Sequence, residues 1–146
     1  MKVGSFGSWL TWLFGGLCAI VTSLFGGWSH GLTVLCIFML IDFVTGFVSA
    51  LMNKSDKSSS GGLSSKVIWV GIIKKVMTLV IVVVGAQLDT LTGASYIRDT
   101  VVIGYIITET ISIIENAGLI GLPIPPIIKR VIDVLKAKND NIEPKV

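Results

Sequence analysis

The chain has 146 residues, of which 52% are apolar and only 14% charged, with a mean hydropathy of +0.84 and a net charge of +3. An ordinary soluble domain carries about 25% charged residues, so this composition excludes a water-solvated globular fold and points to a chain solvated by lipid. The basic balance would suit nucleic acid if the cations clustered on one face. They fall instead in short stretches between apolar runs, where lipid headgroups account for them, and no nucleic-acid partner is expected.

From residue 3 to residue 41 there is no charged side chain apart from His30, and this length is nearly twice the ~20 residues that cross a bilayer as helix. The first span is expected over 9–27, with Trp9, Trp12 and Trp28 near its ends as interfacial anchors. It is expected as mature structure and not as a secretory leader: it has one lysine before it, no small-x-small cleavage pattern, and a second apolar run directly behind. Thr11, Gly15, Ala19, Ser23 and Gly27 recur every four residues, a small-residue ridge that lets another helix approach closely, from the same chain or from another copy. The second span, 31–52, is interrupted by one charge, Asp42, and the few residues around Trp28 to Gly31 predict a tight antiparallel hairpin. Cys18 and Cys36 lie within apolar runs without Cys or His at ligand spacing, so both are expected to pack as small hydrophobes and to hold no metal.

Residues 53–66, NKSDKSSSGGLSSK, have the Ser/Gly composition of a flexible loop. The third span, 67–88, is less regular, because its uncharged run at 76–88 covers only about 20 Å of a ~30 Å core. Its helix must begin earlier, with Lys74 and Lys75 snorkelling to headgroups. The fourth span is expected over 99–117, with Asp99 in its N-cap region and Gly118, Gly121, Pro123, Pro125 and Pro126 stopping it. In the segment 127–146, Ile127, Ile128, Val131, Ile132, Val134 and Leu135 share one helical side, while Lys129, Arg130, Asp133 and Lys136 take the other. Either a short helix lies on the cytoplasmic leaflet with Lys129 and Arg130 at the headgroups, or the tail is a soluble helix.

With residues 53–75 in the cytoplasm, four crossings place eleven of the twelve Lys/Arg inside and only Arg98 outside. The expected fold is therefore an all-α integral membrane protein with four transmembrane helices, both termini cytoplasmic. It divides into a helical membrane domain, 1–126, and an amphipathic basic C-terminal segment, 127–146. Three spans, with the first segment peripheral or extracytoplasmic, is the alternative.

Two spans carry polar faces. On a helical wheel Gly104, Tyr105, Thr108, Glu109, Ser112, Glu115 and Asn116 fall within an arc of about 140°, and isoleucines fill the rest. Asp42, Thr45, Gly46, Ser49 and Asn53 form a similar stripe on the second span. Two acids at the centre of a lone span cost about 5–7 kcal/mol, against roughly 4 kcal/mol returned by eight Val/Ile. The fourth helix therefore needs protein or water on its polar face. Those groups form either a static hydrogen-bonded network or the lining of a water-filled path. The sequence has no phosphate-binding glycine loop, no paired histidines, and no Ser or Cys beside a base, so no enzyme, cofactor or metal centre is expected.

Three stretches resemble a known family, the phage lysis holins, which also include the clostridial toxin-secretion holins. IDFVTGFVSA at 41–50 resembles the family's Asp-aromatic-x-Thr-Gly segment, and GLSSKVIWVGIIKK at 62–75 is similar to its Ser-Ser-Lys loop entering a paired-lysine helix. TETISIIENAGLIGLPIPPIIK at 108–129 resembles a signature of Asn-Glu, Ser-Ile-x-Glu-Asn and Gly-x-Pro-x-Pro. Thr108 departs from it, standing where the family commonly has asparagine, while Glu109, Ser112, Glu115 and Asn116 match. The resemblance implies accumulation in the bacterial cytoplasmic membrane late in phage infection and homo-oligomerisation into lesions. These lesions would release a cell-wall-degrading endolysin, or a toxin, as a functional partner that need not touch the chain. Two other classes stay open: a four-helix proton-coupled exporter, whose key first-helix glutamate has no counterpart here, and an anti-holin or membrane scaffold.

Overall fold

Long uncharged runs punctuated by glycine, serine and proline fold as five helices: α1 (Ser5–Leu24), α2 (His30–Leu51), α3 (Ser65–Thr92), α4 (Ile97–Ile120) and α5 (Pro126–Asp140). The computed structural model describes residues 5–57 and 61–140, with side chains for Trp9, 11–57 and 61–135; among these there is no strand. Residues 58–60 of the expected loop and 141–146 of the expected tail lie outside the described residues.

The helix ends follow local signals. At the end of α1, Gly26 adopts a left-handed φ of 68°. Its N–H donates to the Ser23 carbonyl at 3.0 Å, and the Gly27 N–H donates to the Thr22 carbonyl at 2.9 Å. This paired pattern terminates a helix by satisfying its last carbonyls. It corrects the expected first span: Gly27, at φ 94°, lies beyond the helix, so the helical part of the small-residue ridge ends at Ser23. The same device closes α2 on Asn53 (φ 55°) and α4 on Gly121 (φ 101°). The Ser29 hydroxyl accepts the Leu32 N–H at 3.2 Å and so caps the start of α2, while Pro126 opens α5 at a position where its missing N–H removes no helical bond.

α3 is longer than expected. Its 28 residues reach about 42 Å, so Lys74 and Lys75 stand in its third turn. The start of α4 is also corrected. Asp99 does not cap it: the carboxylate that does is Asp89, near the end of α3, whose two oxygens accept the N–H groups of Ile97 (2.9 Å) and Arg98 (3.0 Å). Asp99 instead accepts the Arg98 Nε–H at 2.9 Å.

Among the described residues, α2 and α3 are long and apolar enough to cross a membrane, and Thr11–Leu24 of α1 forms a shorter apolar helix. α4 has 24 residues but carries Arg98, Asp99, Glu109 and Glu115. Large apolar side chains such as Leu13, Phe14 and Leu17 of α1 or Leu40, Val44 and Phe47 of α2 are exposed, as expected where lipid and not water is the solvent.

The chain divides into two compact units, Met1–Cys36 with Ile72–Ile106 (unit 1) and Ile37–Gly71 with Ile107–Val146 (unit 2). Unit 1 has a mainly apolar core of Leu32, Leu35, Val82, Ala86 and Val102, joined by Thr78. Its helices approach closely at glycine: a Cβ on Gly31 would stand 3.3 Å from Val102 Cγ1, and one on Gly85 3.2 Å from the Arg98 Cα. Unit 2 is built differently. It buries Met39 and Ile132, but also Ser49, Ser55, Glu109 and Asn116.

Candidate functional site

The polar interior of unit 2 is a seam between α2 and α4. Asn116 is 2% exposed, and its Nδ2 donates to Asp42 Oδ1 at 3.0 Å, with longer contacts to Thr45 Oγ1 (3.3 Å) and the Asp42 carbonyl (3.4 Å). An amide nitrogen has two hydrogens, so the carboxylate bond is the main one and the other two acceptors share the second. The Thr45 hydroxyl donates back along its own helix, to the carbonyls of Ile41 (2.9 Å) and Asp42 (3.1 Å), which leaves its lone pairs for Asn116. At Gly46 a Cβ would stand 3.4 Å from Asn116 Nδ2, an ordinary contact, so the helices approach closely enough here to admit a methyl group but little more. Ser49, 1% exposed, donates to the Gly46 carbonyl at 2.8 Å and is thereby satisfied within α2.

The remaining residues of the α4 stripe are distributed unequally. Glu109 is buried, Ser112 and Glu115 are half-buried, and Thr108 is exposed. Tyr105, half-buried, belongs to unit 1. Ser112 Oγ receives a bond from Lys57 Nζ at 3.3 Å. Among the described residues no buried side-chain nitrogen or oxygen lacks a hydrogen-bond partner, so the seam as folded is a satisfied network.

The other expected contact residues sit at the surface of their units. Gly15, Ala19 and Ser23 are exposed, and a Cβ on Gly15 would meet nothing within 4 Å; this part of the ridge is not covered by the described residues. Lys74, Lys129 and Arg130 are exposed, and Lys75 is half-buried and has an interaction partner. On α5 only Ile132 is buried among the described residues of its apolar face. No group of three His, Cys, Asp or Glu among the described residues is placed to hold a metal ion.

Sequence reasoning missed Lys57, whose loop looked merely flexible. The described residues flanking 58–60 make defined contacts: the Ser55 N–H donates to the Gly61 carbonyl at 3.0 Å, Ser55 is buried, and Lys57 reaches a residue 55 positions away. It also missed Asp89, which reaches across the turn to the start of α4, and Gln87 and Arg98, whose carbonyl partners are more than 60 residues away.

The sequence model of the bacteriophage holin family matches residues 19–137. An uncharacterised protein of Halalkalibacterium halodurans is 35% identical over 133 residues, 87% of this chain and 93% of its own length. An uncharacterised 14.9 kDa protein of Clostridium perfringens is 32% identical over 133 residues, covering 90% and 96% of the two chains. A protein described as a probable holin, from Bacillus phage phi105, is 30% identical over 118 residues, 80% of this chain and 82% of its own. No solved structure matches the chain.

Proposed function

Because the chain belongs to the bacteriophage holin family, we propose that it accumulates in the bacterial cytoplasmic membrane and oligomerises there into lesions through which an endolysin leaves the cell. α1 to α4 cross the bilayer and both termini lie in the cytoplasm, the arrangement favoured by the Lys/Arg asymmetry. Lys74, Lys75, Lys129 and Arg130 contact headgroups, and each cation near an anionic surface contributes about 1 kcal/mol. The endolysin need not touch the chain, and the reading assigns the chain no catalytic step, cofactor or metal.

The observation that carries this reading is the bond set from buried Asn116 to Asp42 and Thr45. It supports a closed state in which the stripes of α2 and α4 are hidden against each other. Hydrogen bonds between helices in lipid contribute only about 0.6–2 kcal/mol each, and water in a hydrated hole replaces them with little loss. Two packings of such a bundle therefore differ by only a few kcal/mol, the condition for a switch. As copies crowd, Gly15, Ala19 and Ser23 bring α1 of one copy to another, and the seam exchanges its internal partners for water. Asp42, Thr45, Ser49, Thr108, Glu109, Ser112, Glu115 and Asn116 then line the opening, with Tyr105 on the same face of α4.

Inducible expression in bacteria, with and without an endolysin, tests the proposal by following membrane potential and culture turbidity. Abrupt depolarisation above a threshold accumulation, with clearing only when endolysin is present, is the expected result. Substrate-dependent transport at constant potential would replace it with a carrier. Silent expression that delays another holin would replace it with an anti-holin.

A further inference from the structure

In unit 1, one arginine joins two helix ends. The last carbonyls of α1 and its turn are all engaged: Gln87 Nε2 donates to Leu24 O at 3.0 Å, and Arg98 Nη1 donates to the carbonyls of Phe25 (3.1 Å), Gly26 (3.1 Å) and Gly27 (3.3 Å). A helix C-terminus carries partial negative charge, and the guanidinium supplies the matching positive charge in a fixed fork. Arg98 itself is held from the other side. Its N–H and that of Ile97 donate to Asp89, its Nε–H donates to Asp99, and its backbone lies against Gly85, where any side chain would be tight. Among the described residues, Trp9 and Thr11 have interaction partners near the start of α1, and the bonds above hold its other end. Along α1 itself every side chain from Leu13 to Val21 is exposed, and neither Gly15 nor Gly16 has an atom within 4 Å of the place a Cβ would take.

We infer that Arg98 is a clasp that holds α1 in its single-chain position, and that the already exposed ridge of α1 packs stably against another copy only when α1 reorients from this position. The residue therefore sets the density at which assembly begins. The clasp is a property of the folded chain, whereas its effect on assembly rests on the function proposed above. Neither composition nor the polar stripes foreshadow it, because Arg98 and its carbonyl partners are more than 70 residues apart.

The test uses the full chain with Cys36→Ser, spin labels on the exposed native Cys18 and on Val84→Cys, and dilute reconstitution in lipid vesicles. With Arg98 in place the label distance should be a single narrow distribution. Arg98→Gln should broaden it, and Arg98→Lys, which keeps the charge without the fork, should give an intermediate width. In cells with titrated expression Arg98→Gln should depolarise the membrane at about fivefold lower density, the factor expected for one favourable charge at a helix end. Gln87→Ala, which removes only the bond to Leu24, should shift both readouts the same way by less, and it serves if Arg98→Gln fails to accumulate. A narrow distribution retained in both variants would overturn the clasp. Broadening with an unchanged threshold would overturn its control of assembly. If the unmodified chain never depolarises cells, the proposed function fails, while the distances still report on the clasp.

Discussion

Replacing Asn116 with alanine removes the side chain that joins α2 to α4 in unit 2. The loss comprises one well-formed bond to a carboxylate, at 3.0 Å, and a weaker one to the Thr45 hydroxyl, at 3.3 Å. In lipid such bonds contribute about 0.6–2 kcal/mol, and the small void left at a 2%-exposed position adds to the effect. A net loss of about 1–2 kcal/mol from the closed state raises the ratio of opened to closed chains by roughly 5- to 30-fold. Asn116→Ala should therefore trigger at a lower membrane density than the unmodified chain. Titrated expression, with accumulation measured in isolated membranes and onset read from a potential-sensitive dye, gives that density directly. A double-mutant cycle with Asp42→Ala isolates the pair and should show about 1 kcal/mol of coupling. Additive effects of the two substitutions, or a later onset in Asn116→Ala, would refute the assignment of this bond to the closed state.

Glu109→Gln and Glu115→Gln should each shift the onset of lysis or abolish it, since both keep size and remove charge from the proposed lining; wild-type lysis times in both single variants and the double would remove these residues from it. Gly46→Ala should be nearly silent, because its Cβ would make an ordinary 3.4 Å contact with Asn116 Nδ2. Gly46→Val adds methyl groups beyond that limit, so overpacking of about 1–3 kcal/mol should give early onset like that of Asn116→Ala; equal behaviour of the two glycine variants would count against the close approach. Asp89→Ala removes the carboxylate that caps α4, a loss of about 0.5–2 kcal/mol, and should lower the Tm of the detergent-solubilised protein, whereas an unchanged Tm would show that the cap contributes nothing.

Local signals made much of the fold legible. The charge-free stretch before Asp42 located α1 and α2, and the Gly/Pro cluster after Asn116 located the end of α4 and the start of α5. The errors came where spacing or adjacency in sequence did not identify the deciding residue. Gly27 continues the four-residue spacing of α1, but the left-handed Gly26 ends the helix before it, and spacing alone does not distinguish the two. Asp99 is the acid beside the start of α4, whereas Asp89 is the one that the turn after α3 brings back onto its first amides. The polar stripes of α2 and α4 were visible as periodicity, and Asn116 and Asp42 do meet. Periodicity gives a face but not its depth, so it did not separate buried Glu109 from exposed Thr108. The composition of the Ser/Gly stretch reports chain freedom and does not reveal the contacts of Ser55 and Lys57.

The central claim is that the polar seam of unit 2 is dry when closed and wet when open, and thiol accessibility at Ser49 tests it most directly. Ser49 is 1% exposed on the seam side of α2, whereas Leu40 of the same helix is exposed on an apolar surface. In a background with Cys18→Ser and Cys36→Ser, Ser49→Cys and Leu40→Cys are treated with a charged thiol reagent in inverted membrane vesicles prepared before and after triggering. The account predicts that Ser49→Cys is unreactive before triggering and at least about tenfold faster afterwards, as a group does when it moves from a buried to a hydrated site, while Leu40→Cys stays unreactive throughout. Equal rates at Ser49→Cys before and after triggering, in membranes that have depolarised, would contradict it.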